Sequence, residues 1–205
     1  IDPKRPYVLT EAEEEVLDRL TQAFVNCEKL QSHMHFLLNK GGLYKVYNGN
    51  LLYHGCVPLD ESGNFEGVVF GRKRYCGRDY LDYAEHIARR AWSKDAKEKD
   101  KDFMWYLWCG RKSPLSGRNI KTFERTYVKD ETTWHEESNP YYRFYEEEKV
   151  CNMILHEFGL YSERSHIING HTPVRTSKGE HPVRANGRLM VIDGGFCKSY
   201  HKTTG

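Results

Sequence analysis

An α/β fold is predicted for this 205-residue chain by short β-runs interleaved with amphipathic helical stripes, and by two late apolar strands that each run into glycine. Hydrophobic residues make up 39% and aromatic residues 13%, which suits a folded domain rather than a disordered one. A chain of this length can bury about 70% of the surface its unfolded form exposes, so a true core is within reach. No internal repeat, low-complexity tract or clear linker interrupts it, and one domain over residues 1–205 is expected.

The elements follow in order. Thr10 and Glu13 form a capping box, and Val16, Leu17, Leu20, Ala23, Phe24, Cys27 and Leu30 then recur at helical spacing, so one long helix is expected from Glu11 to Phe36, stopping near Gly41-Gly42. Leu43 to Tyr47 and Asn50 to His54 are joined by Asn48-Gly49, a pair that accepts the positive φ angles of a type I′ hairpin. That places His54 at the end of the second strand. Asp79 is a candidate cap for a helix with the stripe Tyr80, Tyr83, Ala84, Ile87, Ala88, Ala91 and Trp92. The mixed-charge run Lys94 to Asp102 reads as a solvated helix end, and Phe103 to Trp108 as a buried cluster leading into the Gly110–Arg118 loop. Asn139-Pro140 opens a third helix through Tyr141, Phe144, Tyr145, Val150, Ile154, Leu155 and Phe158, ending at Gly159. His166-Ile167-Ile168 then runs into Asn169-Gly170-His171. A last strand, Leu189 to Asp193, follows an Asn186-Gly187 turn and ends in Gly194-Gly195.

Charge and cysteine content exclude several classes. The formal net charge is +2 and no segment concentrates basic residues, so no nucleic-acid partner is expected. No apolar stretch is long enough to cross a bilayer, and residues 1–6 lack the apolar core of a signal peptide. Six scattered cysteines without a Cys-x-x-Cys spacing suit reduced thiols in a cytoplasmic protein.

Histidine is the residue type to weigh for chemistry, since a neutral imidazole offers one nitrogen to a metal while the other is oriented by a neighbour. Ten are present, and most are expected to be structural. His33 and His35 lie two apart on a helix, where side chains face different ways, and make a poor chelate. His54 and His171 differ: each ends a strand beside a glycine, Gly55 or Gly170, which removes bulk where a metal or substrate would approach.

In order, Leu51-Leu52-Tyr53-His54-Gly55-Cys56, Ile167-Ile168-Asn169-Gly170-His171-Thr172-Pro173 and Val191-Ile192-Asp193-Gly194-Gly195-Phe196 resemble the closing motifs of calcineurin-like metallophosphatases. With Trp108-Cys109-Gly110-Arg111-Lys112-Ser113-Pro114-Leu115-Ser116-Gly117-Arg118 and Phe196-Cys197-Lys198-Ser199-Tyr200, nearly the whole chain resembles one branch, the class III fructose-1,6-bisphosphatases of bacteria. The resemblance implies a two-sheet β-sandwich flanked by helices, with His54 and His171 binding one metal of a two-metal centre, manganese being the expected divalent cation. It implies hydrolysis of a sugar bisphosphate substrate, fructose 1,6-bisphosphate, to fructose 6-phosphate, and a role in gluconeogenesis. Arg111, Lys112 and Arg118 are candidates to neutralise the phosphate, set against the plainer reading of each as a solvated charge.

The chain also departs from that family pattern. The Asp-x-His, Gly-Asp-x-x-Asp-Arg and Gly-Asn-His motifs that supply the other ligands are absent from this sequence. The chain is therefore expected to be the C-terminal part of a metallophosphatase domain, inactive alone, with the N-terminal part of the same protein or a second copy as its partner. Two other readings stay open: a metallophosphatase acting on a phosphoprotein or dinucleoside polyphosphate, and a non-catalytic binding module.

Overall fold

The computed structural model describes residues 4–5 and 8–193. The expected final glycines and the Phe196–Tyr200 motif lie outside the described residues. The chain divides into two compact units, Ile1–Gly42 and Leu43–Gly205.

The first unit holds α1 (Glu11–Val25) and α2 (Glu28–Lys40). Thr10 and Glu13 form the expected capping box, with Thr10 N–H donating to Glu13 Oε2 at 2.8 Å. The single long helix expected from Glu11 is instead two. Asn26 closes α1 by donating its N–H to Gln22 O, and Cys27 turns extended to start α2. Asn is a poor helix former because its short amide competes for local hydrogen bonds, and its Nδ2 here reaches Gln22 Oε1 at 3.2 Å.

The second unit is α/β. Its main sheet has the strand order β1-β2-β5-β7-β6, with β1 (Tyr44–Tyr47), β2 (Asn50–Tyr53), β5 (Ile167–Asn169), β6 (Val183–Arg184) and β7 (Leu189–Val191). The β1–β2 hairpin turns at Asn48 and Gly49, whose φ angles of 49° and 73° are those of the expected turn type. β2, β5 and β7 are mutually parallel, and β1 and β6 close the sheet antiparallel at its two edges.

Register separates the two faces. Leu51, Ile167 and Leu189 stand opposite one another, all buried, and join the core with Tyr53 and Val191. Leu52, Ile168, Met190 and Val183 line up across the other face, where Met190 and Val183 are exposed. One apolar face is therefore packed and its reverse is not.

The core draws on α3 (Gly77–Trp92) and α7 (Glu148–Glu157), through Tyr80, Leu81, Ala84 and Ile87 from one and Val150, Cys151, Ile154 and Leu155 from the other. The cap expected from Asp79 is supplied from a distance: α3 starts at Gly77, and Glu157 Oε1 accepts the Arg78 N–H at 3.1 Å. The third helix also breaks in two, α6 (Tyr141–Phe144) and α7. Arg184 bonds Tyr145 Oη and Glu146 in the gap, Glu147 is extended, and Cys151 Sγ donates to the freed Tyr145 carbonyl at 3.2 Å.

Lys94–Asp102 proves more than a solvated end. α4 (Glu98–Cys109) begins there, and Asp100, 1% exposed, takes two hydrogen bonds from Arg90 of α3. Its cluster is only half buried: Phe103 and Leu107 face inward at helical spacing, while Met104, Trp105 and Trp108 are exposed. Against α3 and α4 lies a small hairpin that the sequence pattern did not reveal, β3 (Val68–Phe70) and β4 (Lys73–Tyr75), whose Phe70 stacks on Tyr83 at 4.9 Å. A short helix, α5 (Thr122–Tyr127), was likewise missed.

Among the described residues the five cysteines are free, and no helix is long and apolar enough to cross a membrane.

Candidate functional site

Because β2, β5 and β7 run parallel, their carboxyl ends open on one edge of the sheet, the usual place for a ligand site in such sheets. His54 follows β2, Gly170-His171 follows β5, and Asp193 lies just beyond β7. Gly170 N–H donates to His54 O at 3.0 Å and Ile192 N–H to Asn169 O at 2.8 Å, so backbone bonds tie the three strand ends together.

The two histidines meet. His171 Nδ1 lies 3.3 Å from His54 Nε2, with the rings nearly perpendicular at 82°. His171 occupies the left-handed region at φ 66°, a position that costs a non-glycine residue about 1–3 kcal/mol and is retained where the surroundings fix it. A Cβ on Gly170 would stand 3.3 Å from His54 Nδ1 and 3.8 Å from Asp193 Cβ, so glycine leaves the imidazoles room. Burial holds the His171 pKa below its usual value, aided by His54 and Arg118 and opposed by Asp193. At neutral pH the ring is uncharged, with a lone pair to give.

Beneath the strand ends runs a buried polar chain. Tyr53 Oη and Tyr141 Oη lie 2.7 Å apart, and Asn169 Nδ2 donates to Tyr141 Oη at 2.8 Å. Asn139, flagged in the sequence as a helix cap, accepts from Tyr141 N–H at 2.9 Å and Leu59 N–H at 3.0 Å.

The Gly110–Arg118 loop presses on the site from the side. A Cβ on Gly55 would sit 2.3 Å from Leu115 O, a contact only glycine permits, and Cys56 N–H donates to Pro114 O at 3.0 Å. Burial pushes the Cys56 thiol far up, so it stays protonated and holds the loop by donating to Ser113 O rather than acting as a nucleophile.

Of the basic candidates, only Arg118 exerts an electrostatic effect on His171, and the other two pair with glutamates. Arg118 lies over the Tyr142 ring at 5.4 Å and adds to the positive field at His171. Its Nε is buried without a hydrogen-bond partner among the described residues. Arg111 pairs with Glu61 at 3.0 Å and Glu137 at 3.5 Å, and Lys112 with Glu66 at 3.0 Å. Asp193 is the neighbour that sequence reasoning did not single out. Its position at the end of a strand parallel to β5 was the available signal.

Two imidazole nitrogens bound to one tetrahedral metal at about 2.0–2.1 Å stand roughly 3.3 Å apart, the separation seen here. The pair therefore fits part of a metal site. No group of three or more His, Cys, Asp or Glu side chains able to hold a metal occurs among the described residues, so the pair does not complete one.

A family model described as Firmicute fructose-1,6-bisphosphatase matches residues 1–205. A class 3 fructose-1,6-bisphosphatase of Clostridium novyi (strain NT) is 50% identical over 210 residues, covering 100% of this chain and 32% of the relative. Proteins of the same name from Clostridium botulinum (strain Langeland / NCTC 10281 / Type F) and Listeria monocytogenes serotype 4b (strain CLIP80459) are each 49% identical, again across 100% of this chain and 31% and 32% of their own lengths. The chain thus spans about a third of the length of the curated relatives it matches. No solved structure matches it.

Proposed function

The chain belongs to the Firmicute fructose-1,6-bisphosphatase family, and from that premise we propose that it is the histidine-bearing part of a metal-dependent phosphomonoesterase that converts fructose 1,6-bisphosphate to fructose 6-phosphate and phosphate. The observation that carries the reading is the His54–His171 pair, two imidazoles from separate parallel strand ends, 3.3 Å apart.

In this reading His54 Nε2 and His171 Nδ1 are two ligands of one divalent cation, manganese being the choice that the family resemblance suggests. When bound, such a cation supplies Lewis acidity, making water nucleophilic near neutral pH and drawing charge from the phosphoryl oxygens. The chain's own residues do the rest. Gly170 leaves room beside the His54 ring, and burial, which lowers the His171 pKa, favours its neutral form. Arg118, whose positive charge is felt at His171, is the candidate to neutralise phosphate charge. Arg111 and Lys112, engaged by glutamates, hold the loop that carries it.

The remaining ligands are not among the described residues, and the rest of a longer protein is their source in this reading. The face of half-buried Leu52 and Ile168 and exposed Met190 and Val183 supports a second sheet of a calcineurin-like sandwich packing there, contributed by the rest of a longer protein. Assay of the full-length protein with Mn²⁺ against fructose 1,6-bisphosphate, diadenosine tetraphosphate and a phosphoprotein tests the substrate class. The account expects turnover of the sugar bisphosphate; turnover of only the other two contradicts it.

A further inference from the structure

A cleft of about 590 Å³ is lined in part by Arg118, Thr172, Arg175, Glu180 and Arg184. Two of its residues link it to the histidines: Thr172 follows His171 in the chain, and the charge of Arg118 helps to hold the His171 pKa down.

Its charges are not balanced. Three arginines line it against two carboxylates, Glu146 and Glu180. Arg184 is held by Glu146 and Tyr145 Oη and lies 3.9 Å from Glu180, while Arg175 Nε lies 3.5 Å from Glu180 and its N–H donates to Glu180 Oε2 at 2.9 Å. Glu180 therefore restrains two guanidinium groups at longer than ideal range. No carboxylate pairs with Arg118, whose Nε is the buried donor without a partner among the described residues. An anion entering the cleft would meet the Arg118 guanidinium, which no carboxylate pairs among the described residues, and compete with Glu180 for the other two arginines.

We propose that this cleft binds the phosphate that is not hydrolysed, the 6-phosphate of the sugar bisphosphate, between Arg118, Arg175 and Arg184, with Glu180 as the internal counter-ion it displaces. The proposal rests on the reading of the substrate given above. It also gives the site a basis for preferring a bisphosphate: one phosphate meets the histidines while the other is held by arginines, and Arg118 stands between them.

Calorimetric titration of the full-length protein with fructose 6-phosphate tests the cleft without relying on turnover. Arg175→Gln should weaken binding roughly tenfold, the loss of one charge-assisted contact. Glu180→Gln should tighten it, because removing the counter-ion frees Arg175 and Arg184, and a misfolded variant cannot mimic a gain. Equal affinity of both variants and the wild type, or no binding by the wild type, overturns the proposal. Turnover of fructose 1,6-bisphosphate measured beside it reports on the underlying reading. Intact turnover with titrations unmoved by either variant removes the cleft alone. Absent turnover with titrations that follow the charges removes the substrate assignment and supports the cleft as a sugar-phosphate site.

Discussion

The α3–α4 pair and the strand-end site are both organised around polar side chains, and they treat them in opposite ways. Between the helices, Asp100 is buried and fully engaged, taking two hydrogen bonds from Arg90 and one from Lys97 N–H. Aromatic rings close the layer beside it, with Phe70, Tyr83 and Phe103 in mutual contact. At the strand ends, His171 is in a costly backbone conformation, and Arg118 Nε and Asn169 Oδ1 have no partner among the described residues. The Asp100 carboxylate is saturated where it holds the fold, although Tyr80 Oη of α3 also lacks a partner among the described residues; the strand ends add a strained backbone to their free valences.

The largest expected effect breaks the site's scaffold. Gly55→Ala puts a methyl 2.3 Å from the Leu115 carbonyl and should cost about 3 kcal/mol or more. Gly71→Ala, in the β3–β4 turn, has φ 63° but nothing within 4 Å, and should cost only about 1–2 kcal/mol. Denaturant titration compares them, and equal losses would mean that the loop does not bear on Gly55.

Acid sharpens the contrast next. Hydrogen bonds from Arg90 lower the Asp100 pKa from 3.8 to about 2. The unfolded state then binds the proton first, so this contribution is present above pH 3.8 and disappears as the pH falls towards 2. Asp100→Asn should be less stable than the wild type at neutral pH, with the difference shrinking through that window. His171 behaves likewise at a higher pH. Its ordinary value is 6.5 and burial depresses it, so folding favours the neutral ring and stability falls as the pH drops below about 6.5. In chelator-treated protein, His171→Asn should flatten that upper limb and leave the acid limb unchanged.

The smallest effect is the most diagnostic of strain. Asn enters the left-handed region more easily than His, so at pH 7 His171→Asn should gain up to about 1 kcal/mol in chelator-treated protein while abolishing phosphatase activity of the full-length enzyme. A loss of stability would mean that the imidazole is placed there for packing.

Much of this architecture was legible in the residues. Asn48-Gly49 set the hairpin, and Gly55 and Gly170 marked the two histidines, though Gly55 is glycine because the Leu115 carbonyl packs against it and only Gly170 leaves room beside an imidazole. What was hidden depends on distant partners. Glu157 caps α3 from the far end of α7, Arg184 breaks the third helix from β6, and Asp100 looks solvated until Arg90 is placed beside it. The β3–β4 hairpin has three residues per strand, too short for alternation to register. Likewise, Arg111 and Arg118 are alike in sequence, and only the positions of Glu61, Glu137 and His171 separate them.

If His54 and His171 are ligands of one metal ion, the ion lies between them. Anomalous diffraction from crystals of the full-length protein grown with Mn²⁺ tests it directly. A peak within about 2.0–2.3 Å of both His54 Nε2 and His171 Nδ1 is expected. A metal-loaded protein whose peaks lie elsewhere, with the two imidazoles still bonded to each other, would contradict it.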